Sequence, residues 1–487
     1  MKALNKSTLN RSLSWLFAVL AIFVFTGCAT VGPDYVPPDT PVSATWHTEL
    51  KGGLSGGEMD PQTLAAWWKT LNDPELSSLI DRAVLGNLDM KTALARVREA
   101  RARRGIAEAG LLPTVDATGS ASWSRINRNE GRSTSDDFYV AGFDAGWELD
   151  IFGGVRRSVE AAEANLQASE EDLRNVLVSL LAEVALNYID VRTSQVQIAV
   201  AEANLEAQSE TYQLTQWRYE AGLSDELAVQ QARYSLENTR SLIPALRTGL
   251  EEAMNRIAVL LGEQPGKVHP ELEKREPIPV TPLNVAVAVP ADLLRRRPDV
   301  RQAERQLAAQ TARIGVATAD LYPKFTLNGS IGLEALSLSN LSSGTLTFSG
   351  GPRVTWAIFK GGAIRQNIEV QSALQEQYLI AYEATVLSAL EEVENALVAY
   401  AEVQQRRQSL TEATDAAQKA LELARYKYEA GLTDFNNVLD AQRSLLSFQE
   451  QLAQNEGNVT SNLVRLYKAL GGGWTSMAAD GAPRTSP

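Results

Sequence analysis

Ser55 lies in Gly53-Leu-Ser55-Gly-Gly57, the G-x-S-x-G spacing that lets a serine attack an acyl carbon from a sharp turn between strand and helix. No apolar strand precedes it, and neither of the two histidines, His47 and His269, has the neighbours that a triad needs. No histidine, cysteine or glycine-rich cluster elsewhere offers a base, a nucleophile or a phosphate cradle, so the chain reads as a non-enzyme without a cofactor. Five methionines and two histidines supply few soft ligands, and no metal site is read. A formal net charge of −13 sets nucleic acid aside as a partner.

Cys28 is the only cysteine, so no intramolecular disulfide can form and its thiol is free for other chemistry. Lys2, Lys6 and Arg11 precede an apolar segment, Leu13 to Phe25, too short to span a membrane and laid out as a secretory signal. The run Phe25-Thr-Gly-Cys28 resembles a bacterial lipobox, in which a small residue precedes a cysteine that is diacylated and becomes the mature N-terminus. That resemblance implies removal of residues 1–27 and an acylated Cys28, and Ala29 in place of an aspartate implies the outer membrane. Two or three acyl chains hold a protein on a membrane where one does not.

Behind this anchor the chain is built to position length rather than a pocket. Val155 to Ala221 contains neither glycine nor proline and is rich in Ala, Leu, Glu, Gln and Arg, so it reads as one helix of about 100 Å. Gly222, in Arg218-Tyr-Glu-Ala-Gly-Leu223, ends it in a left-handed turn and sends the chain back. Lys427-Tyr-Glu-Ala-Gly-Leu432 repeats that turn at an offset of 209 residues, which also pairs Trp147 with Trp356, Val184 with Val393 and Gly262 with Gly471. The chain is therefore internally duplicated, with Ala363 to Ala430 as the second long run.

Ahead of each long helix the period drops to two. Val115, Ala117, Gly119, Ala121 and Trp123 alternate with polar residues over 114–124, and Tyr139, Ala141, Phe143, Ala145, Trp147 and Leu149 do so over 138–150. The second half repeats this at Phe325, Leu327, Ile331 and Leu333 and at Leu346, Phe348, Val354, Trp356 and Ile358. Each stretch has the length of a tilted membrane strand with one face to lipid and one to water. Four strands cannot close a barrel, so two, three or four copies must share one. Helices that continue directly from such strands inherit the barrel's circumference, which makes a hollow cylinder and hence a conduit.

The remaining pieces fall into place by length. Helices over 88–112 and 226–261, repeated over 298–322 and 434–469, can lie end to end beside the long ones, with Pro244 expected to bend the first return helix. The expected division is a signal over 1–27, a coreless N-terminal tether over 28–66, a first repeat over 67–264, a linker over 265–297, a second repeat over 298–471 and a tail over 472–487. The linker, tail and tether are expected to gather near the joint between the short helices.

Pro290-Ala-Asp-Leu-Leu-Arg-Arg-Arg-Pro-Asp-Val300, Gln302-Ala-Glu304, Leu321-Tyr-Pro-Lys-Phe325 and Trp67-Trp68 together resemble the TolC-like outer membrane efflux family, in its lipoprotein branch paired with resistance-nodulation-division pumps. The resemblance runs over nearly the whole mature chain. It implies a mainly α fold with a membrane β-barrel: a homotrimer with a twelve-stranded barrel in the outer membrane lipid and a twelve-helix α-barrel below it. It also implies docking on a periplasmic adaptor and an inner-membrane pump, for passive export of drugs or other toxic compounds; protein secretion of type I and metal-cation efflux are the alternatives.

Residue by residue, Tyr219, Gly222, Leu223, Gly431 and Leu432 match the family's periplasmic tips, which meet the adaptor. The two pore-narrowing acids of the better-known relative fall on Asn437 and Asp440, so only one survives. Its latch arginine falls on Thr433, and the acidic partner on Ala228, so the closed tips, with Tyr428 beside them, must be tied in another way.

Overall fold

Glycine stops both long helices where the sequence places it. The computed structural model describes residues 30–39, 41–57, 60–127, 133–279, 285–291 and 296–474. In it the helices Gly154–Glu220 (α4) and Ala363–Glu429 (α8) have 67 residues each, so each is about 100 Å long. Gly222 and Gly431 then take φ of 73° and 71°. The Leu223 N–H donates to the Arg218 carbonyl at 2.7 Å and the Gly222 N–H to that of Tyr219 at 2.9 Å, the bond pair of a Schellman turn. Asp225 accepts from the Ala228 N–H at 2.9 Å and so caps the return helix Glu226–Leu260 (α5). The second turn has the same two backbone bonds and leads into Phe435–Ala469 (α9), whose N-cap Asp434 makes no side-chain capping bond. Helix α5 continues through Pro244.

The chain divides into two units, each drawing on both repeats. The first takes residues 1–39, 96–170 and 302–383. Its centre is an antiparallel sheet of Thr114–Asn127 (β2), Ser133–Leu149 (β3), Lys324–Ala335 (β5) and Thr345–Thr355 (β6), in the order β2-β3-β5-β6. The register carries the alternation across all four strands. Asp116, Asp144, Ser330 and Ser349 stand in one row, and Ala117, Phe143, Ile331 and Phe348 in the next. Successive residues of a strand point to opposite faces, so the sheet has one polar and one apolar side. Strands β2 and β6 are its edges, 14 and 11 residues long.

Strand β6 stops at Thr355, which pairs with Lys324, the first residue of β5. Trp356 and Ile358, assigned to the strand by alternation, therefore lie in the connector that ends at Gly361 and Gly362, both at positive φ. Trp356 donates its indole N–H to the Leu321 carbonyl at 3.0 Å, and its counterpart in the duplication, Trp147, donates to Leu111 at 2.9 Å. Each tryptophan thus pins the joint where a helix hands over to a strand.

The second unit takes residues 40–95, 171–301 and 384–487. Its core gathers Trp67 and Ile80 with Leu181 and Tyr188 of α4, Ile257 of α5, Tyr400 of α8 and Val464 of α9. Part of the tether, which has no core of its own, docks on this one. Leu54–Gly56 (β1) pairs in parallel with Val285–Val287 (β4), and the Leu54 side chain joins the core. Ser55 is thus one residue of a short exposed strand turn, not the tip of an elbow. Val268 and Leu272 of the linker enter the same cluster and Trp474 of the tail packs against it, so linker, tail and tether do converge.

At this place two backbones nearly touch. Gly86 ends the helix Pro74–Gly86 (α2), and a Cβ built on it would overlap the Leu261 carbonyl, just past α5. Asn87 then donates to the Leu260 carbonyl at 2.8 Å and accepts from the Met90 N–H, which starts the helix Leu88–Ala109 (α3).

The segment that leads into β1 is also docked, by a carboxylate. The His47 and Thr48 N–H groups donate to the two oxygens of Glu394 on α8, at 2.7 and 3.1 Å. Burial raises the Glu394 pKa, but the bonds from Thr48 and His47 outweigh it and leave the group below its ordinary value. A depressed carboxyl stabilises the folded form above its unfolded pKa of about 4.3, and that contribution is lost as pH falls through the lower folded value. Amide protection over 42–51, measured against the intrinsic exchange rate at each pH, should therefore be high at neutral pH and fall only below about pH 4. Glu394→Gln should remove that pH dependence and speed exchange at neutral pH; no change in the variant would mean that Trp46, bonded to the Ala288 carbonyl, suffices to hold the segment.

Candidate functional site

The two hairpin turns, at the ends of α4 and α8, are where the sequence places its contact residues, and both lie in the second unit. Leu223 and Leu432 are 70% and 74% exposed, and Tyr219 is exposed beside them. Nothing lies within 4 Å of a Cβ added to Gly222 or Gly431. Trp217 and Tyr426, which the sequence reading did not single out, are exposed on the same last turns. Their signal was available, since a large apolar residue in the final turn of a helix with no apolar neighbour across it has nothing to pack on. Together these side chains form an apolar surface at both turns, the kind that a protein partner covers.

Below the turns, Ala228 is buried in a small core with Phe435, Val438 and Leu439. An acid at this position would have to be desolvated, so the cluster itself accounts for alanine there. Thr433 accepts from the Asn437 side-chain amide at 2.8 Å. The Tyr428 ring tilts against Phe435 with centroids 5.3 Å apart, and the Arg218 guanidinium carbon lies 4.5 Å from the Tyr428 ring centroid on another side. Thr433 and Asn437 are therefore brought together at the second turn, and Tyr428 lies against Phe435 there.

Asp440 lies further along α9, 72% exposed in its side chain. Its neighbour is Arg443, whose Nη1 stands 3.4 Å from the carboxylate at the i,i+3 spacing. Arg443 also donates to the Tyr234 hydroxyl on α5, with its guanidinium 5.1 Å from that ring's centroid. The sequence reading missed Arg443, though an arginine three residues after an aspartate on a helix is a legible pair. Such an exposed pair is weak, and it places a counter-charge beside the acid rather than removing it.

The motif around Pro290 to Val300 plays a different part. Residues 292–295 lie outside the described residues, but Arg297 reaches Asp299 at 2.7 Å, Glu392 on α8 at 2.7 Å and the Ala469 carbonyl at the end of α9 at 2.8 Å. A buried guanidinium thus binds three segments of the second unit. Cys28 also lies outside the described residues. Those that follow it are held in the first unit by Arg157, 3% exposed, which donates to the Val31 and Gly32 carbonyls and to Asp34.

Among the described residues no helix is long and apolar enough to cross a membrane. A two-faced sheet is thus joined in one chain to paired long hairpins, and the same arrangement recurs in known proteins. The model of the outer membrane efflux protein family matches residues 79–263 and 289–472. Nodulation protein T of Rhizobium leguminosarum bv. trifolii is 34% identical, covering 94% of this chain and 97% of its own length. The solvent efflux pump outer membrane protein SrpC of Pseudomonas putida is 33% identical over 94% of this chain and 98% of its own. Among solved structures, the outer-membrane channel OprN superposes with a TM-score of 0.86 at 37% identity, covering 92% of this chain and all of that one.

Proposed function

We propose, because this chain belongs to the outer membrane efflux protein family, that it is the outer membrane channel of a tripartite efflux system, a passive duct for small toxic molecules such as solvents and drugs. The observation that carries this reading is the sheet whose polar and apolar rows run unbroken across four strands and end in two free edges. In lipid those edges must pair with further copies. Three copies give a twelve-stranded barrel, with the rows of Asp116 and Asp144 toward water and those of Phe143 and Ile331 toward acyl chains. The long hairpins extend the wall into the periplasm, and Cys28 carries acyl chains that keep each protomer at the outer membrane. The turns at Tyr219, Gly222 and Leu223 and at Gly431 and Leu432 meet a periplasmic adaptor, through which an inner-membrane pump of the resistance-nodulation-division type loads the duct. Purified protein in a planar bilayer is expected to conduct ions; a chain that assembles yet never conducts overturns the duct reading.

The turns give a second test. Val in place of Gly222 and Gly431 meets no steric obstacle but must take positive φ, at about 1 to 2 kcal/mol each. Asn tolerates that conformation. The double Val variant should lose export in a drug-susceptibility assay while still assembling, and the double Asn variant should keep most of it. Full resistance with both valines would remove these turns from the adaptor contact.

Asp440 is the proposed constriction, with Asn437, Thr433 and Tyr428 around it. Two unit charges about 6 Å apart at an effective dielectric near 20 repel by roughly 3 kcal/mol, so a ring of them attracts cations. Asp440→Asn should lower cation preference and weaken block by divalent cations added at the tip side. Arg443→Gln, which unmasks the same carboxylate, should shift both the other way. Unchanged selectivity in both variants would put the constriction elsewhere.

A further inference from the structure

We propose that a polar recess between α4, α5 and α9 binds a small organic cation, a polyamine-like molecule whose ammonium groups are taken by Asp190 and Glu252. The recess belongs to the second unit by itself, and only its place in the lumen rests on the duct reading. Its volume is about 440 Å³, in the lower part of the range that small-molecule sites occupy. Asn187, Asp190 and Ser194 stand three and four apart on α4, so one stripe of that helix makes the floor. Glu252 and Arg256 of α5 form one wall. Arg192 lies about 200° round the helix from Asp190 and turns to Glu75 and the Lys274 carbonyl of the linker. The side of α4 that the linker covers is thus the opposite one, and in the duct the recess opens on the lumen about midway along α4.

In this recess the hydrogen-bond donors are spent and the acceptors are not. The Asn187 amide nitrogen donates to the Glu183 carbonyl at 2.8 Å, which leaves its side-chain oxygen free to accept. Arg256 is paired with the Glu183 carboxylate at 2.5 Å, so the guanidinium at the rim brings no net charge. Neither the Asp190 nor the Glu252 carboxylate has a hydrogen-bond or ion-pair partner among the described residues. Asp190 is open on one side, yet burial by the walls raises its pKa, with Arg465 offsetting this only in part. A carboxylate crowded in this way and left without a partner gains when a cation arrives. Thr193, 4% exposed, lines the same recess, and its buried hydroxyl has no hydrogen-bond partner. Gly457 on α9 gives that hydroxyl its room, since a Cβ there would fall 2.1 Å from the oxygen. A donor-rich cation suits this set better than a bare metal ion does: no group of three or more metal-binding side chains occurs among the described residues.

Spermidine is the probe, and calorimetry on the purified oligomer reads binding without requiring conduction. Saturable binding is expected, weakened by roughly three- to tenfold in Asp190→Asn and again in Glu252→Gln. Glu237→Gln, which removes the same charge from an exposed pair on α5, should leave it unchanged. In planar bilayers spermidine should reduce the current from either side, because the recess is far from both ends, and Asp190→Asn should relieve both. The two amide substitutions keep size and shape, and heat-resistant oligomer on gels checks that assembly is kept. Equal affinity in the parent, Asp190→Asn and Glu252→Gln overturns the proposal. So does a loss in Glu237→Gln as large as theirs, which would be general attraction to an acidic chain, or a loss in Asp440→Asn alone, which would put the ligand near the turns. A protein that binds spermidine through Asp190 but never conducts overturns the duct reading and leaves the recess standing.

Discussion

Replacing Trp67 by alanine is expected to cost about 3 to 5 kcal/mol, the largest single loss in the second unit. The indole is 1% exposed, stacks on Tyr467 of α9 with centroids 5.6 Å apart and planes at 16°, and meets Trp68 edge-on at 5.9 Å. Gly472 lies against the same ring: a Cβ there would come 3.0 Å from the indole Cδ1. Removal therefore opens a cavity between the N-terminal segment, the end of α9 and the glycines after it, and backbone on one side cannot rotate in to fill it. Trp67→Phe keeps a ring in the stack and should cost about 1 to 2 kcal/mol. Thermal unfolding of the purified protein is the measurement. A Trp67→Ala protein that melts with the parent would mean that this core is not what limits stability.

Gly86→Ala is expected to be almost as harmful as Gly86→Val, about 3 kcal/mol or more, because the first added carbon already strikes the Leu261 carbonyl. Gly262, at φ 73°, faces the Gly86 carbonyl equally closely, so neither backbone can retreat without pulling on the other. The Asn87 amide bond to Leu260 and the cap on Met90 would be lost with the displacement. Gly249 is the control. It lies inside α5 with nothing within 4 Å of an added Cβ, so Gly249→Ala should stabilise by about 0.4 to 1 kcal/mol through the unfolded chain. Comparing the melting points of the two alanine variants decides the matter, and a Gly86→Ala protein as stable as the parent would show that the two backbones can part cheaply.

The long helices, their stops and the four strands were legible because each depends on near neighbours. An unbroken run without glycine or proline, a Gly at the C′ position and strict alternation are local facts, and Gly222, Gly431 and Phe143 lie where they require. The small parallel pair of β1 and β4 was not legible. Leu54 and Val285 are far apart in sequence, three residues long is too short for a period to show, and the glycines around Ser55 mimic a loop. The docking of the tether by Arg157 and Glu394 escaped for a related reason, since a backbone carbonyl or N–H leaves no mark in the sequence that a distant side chain will find it. At the tips the positions could be named while the contacts could not. Arg218 and Tyr428 meet only because two hairpins have a particular register, which helix periodicity within either one does not state.

The edges of the sheet carry a consequence for how the protein comes to be. In the proposed barrel, strands β2 and β6 leave two lengths of ladder, 14 and 11 residues, for another chain to complete. Their closure is a meeting between molecules, so its rate rises with the number of protomers sharing a membrane, whereas the hairpins form within one chain at a rate that does not. A scarce protomer waits longer with open ladders, exposed to proteases and to any strand that fits them; a crowded one finds wrong partners as readily as right ones. The amount of chain the cell makes at one time thereby becomes a folding variable, with a yield that peaks between those two losses.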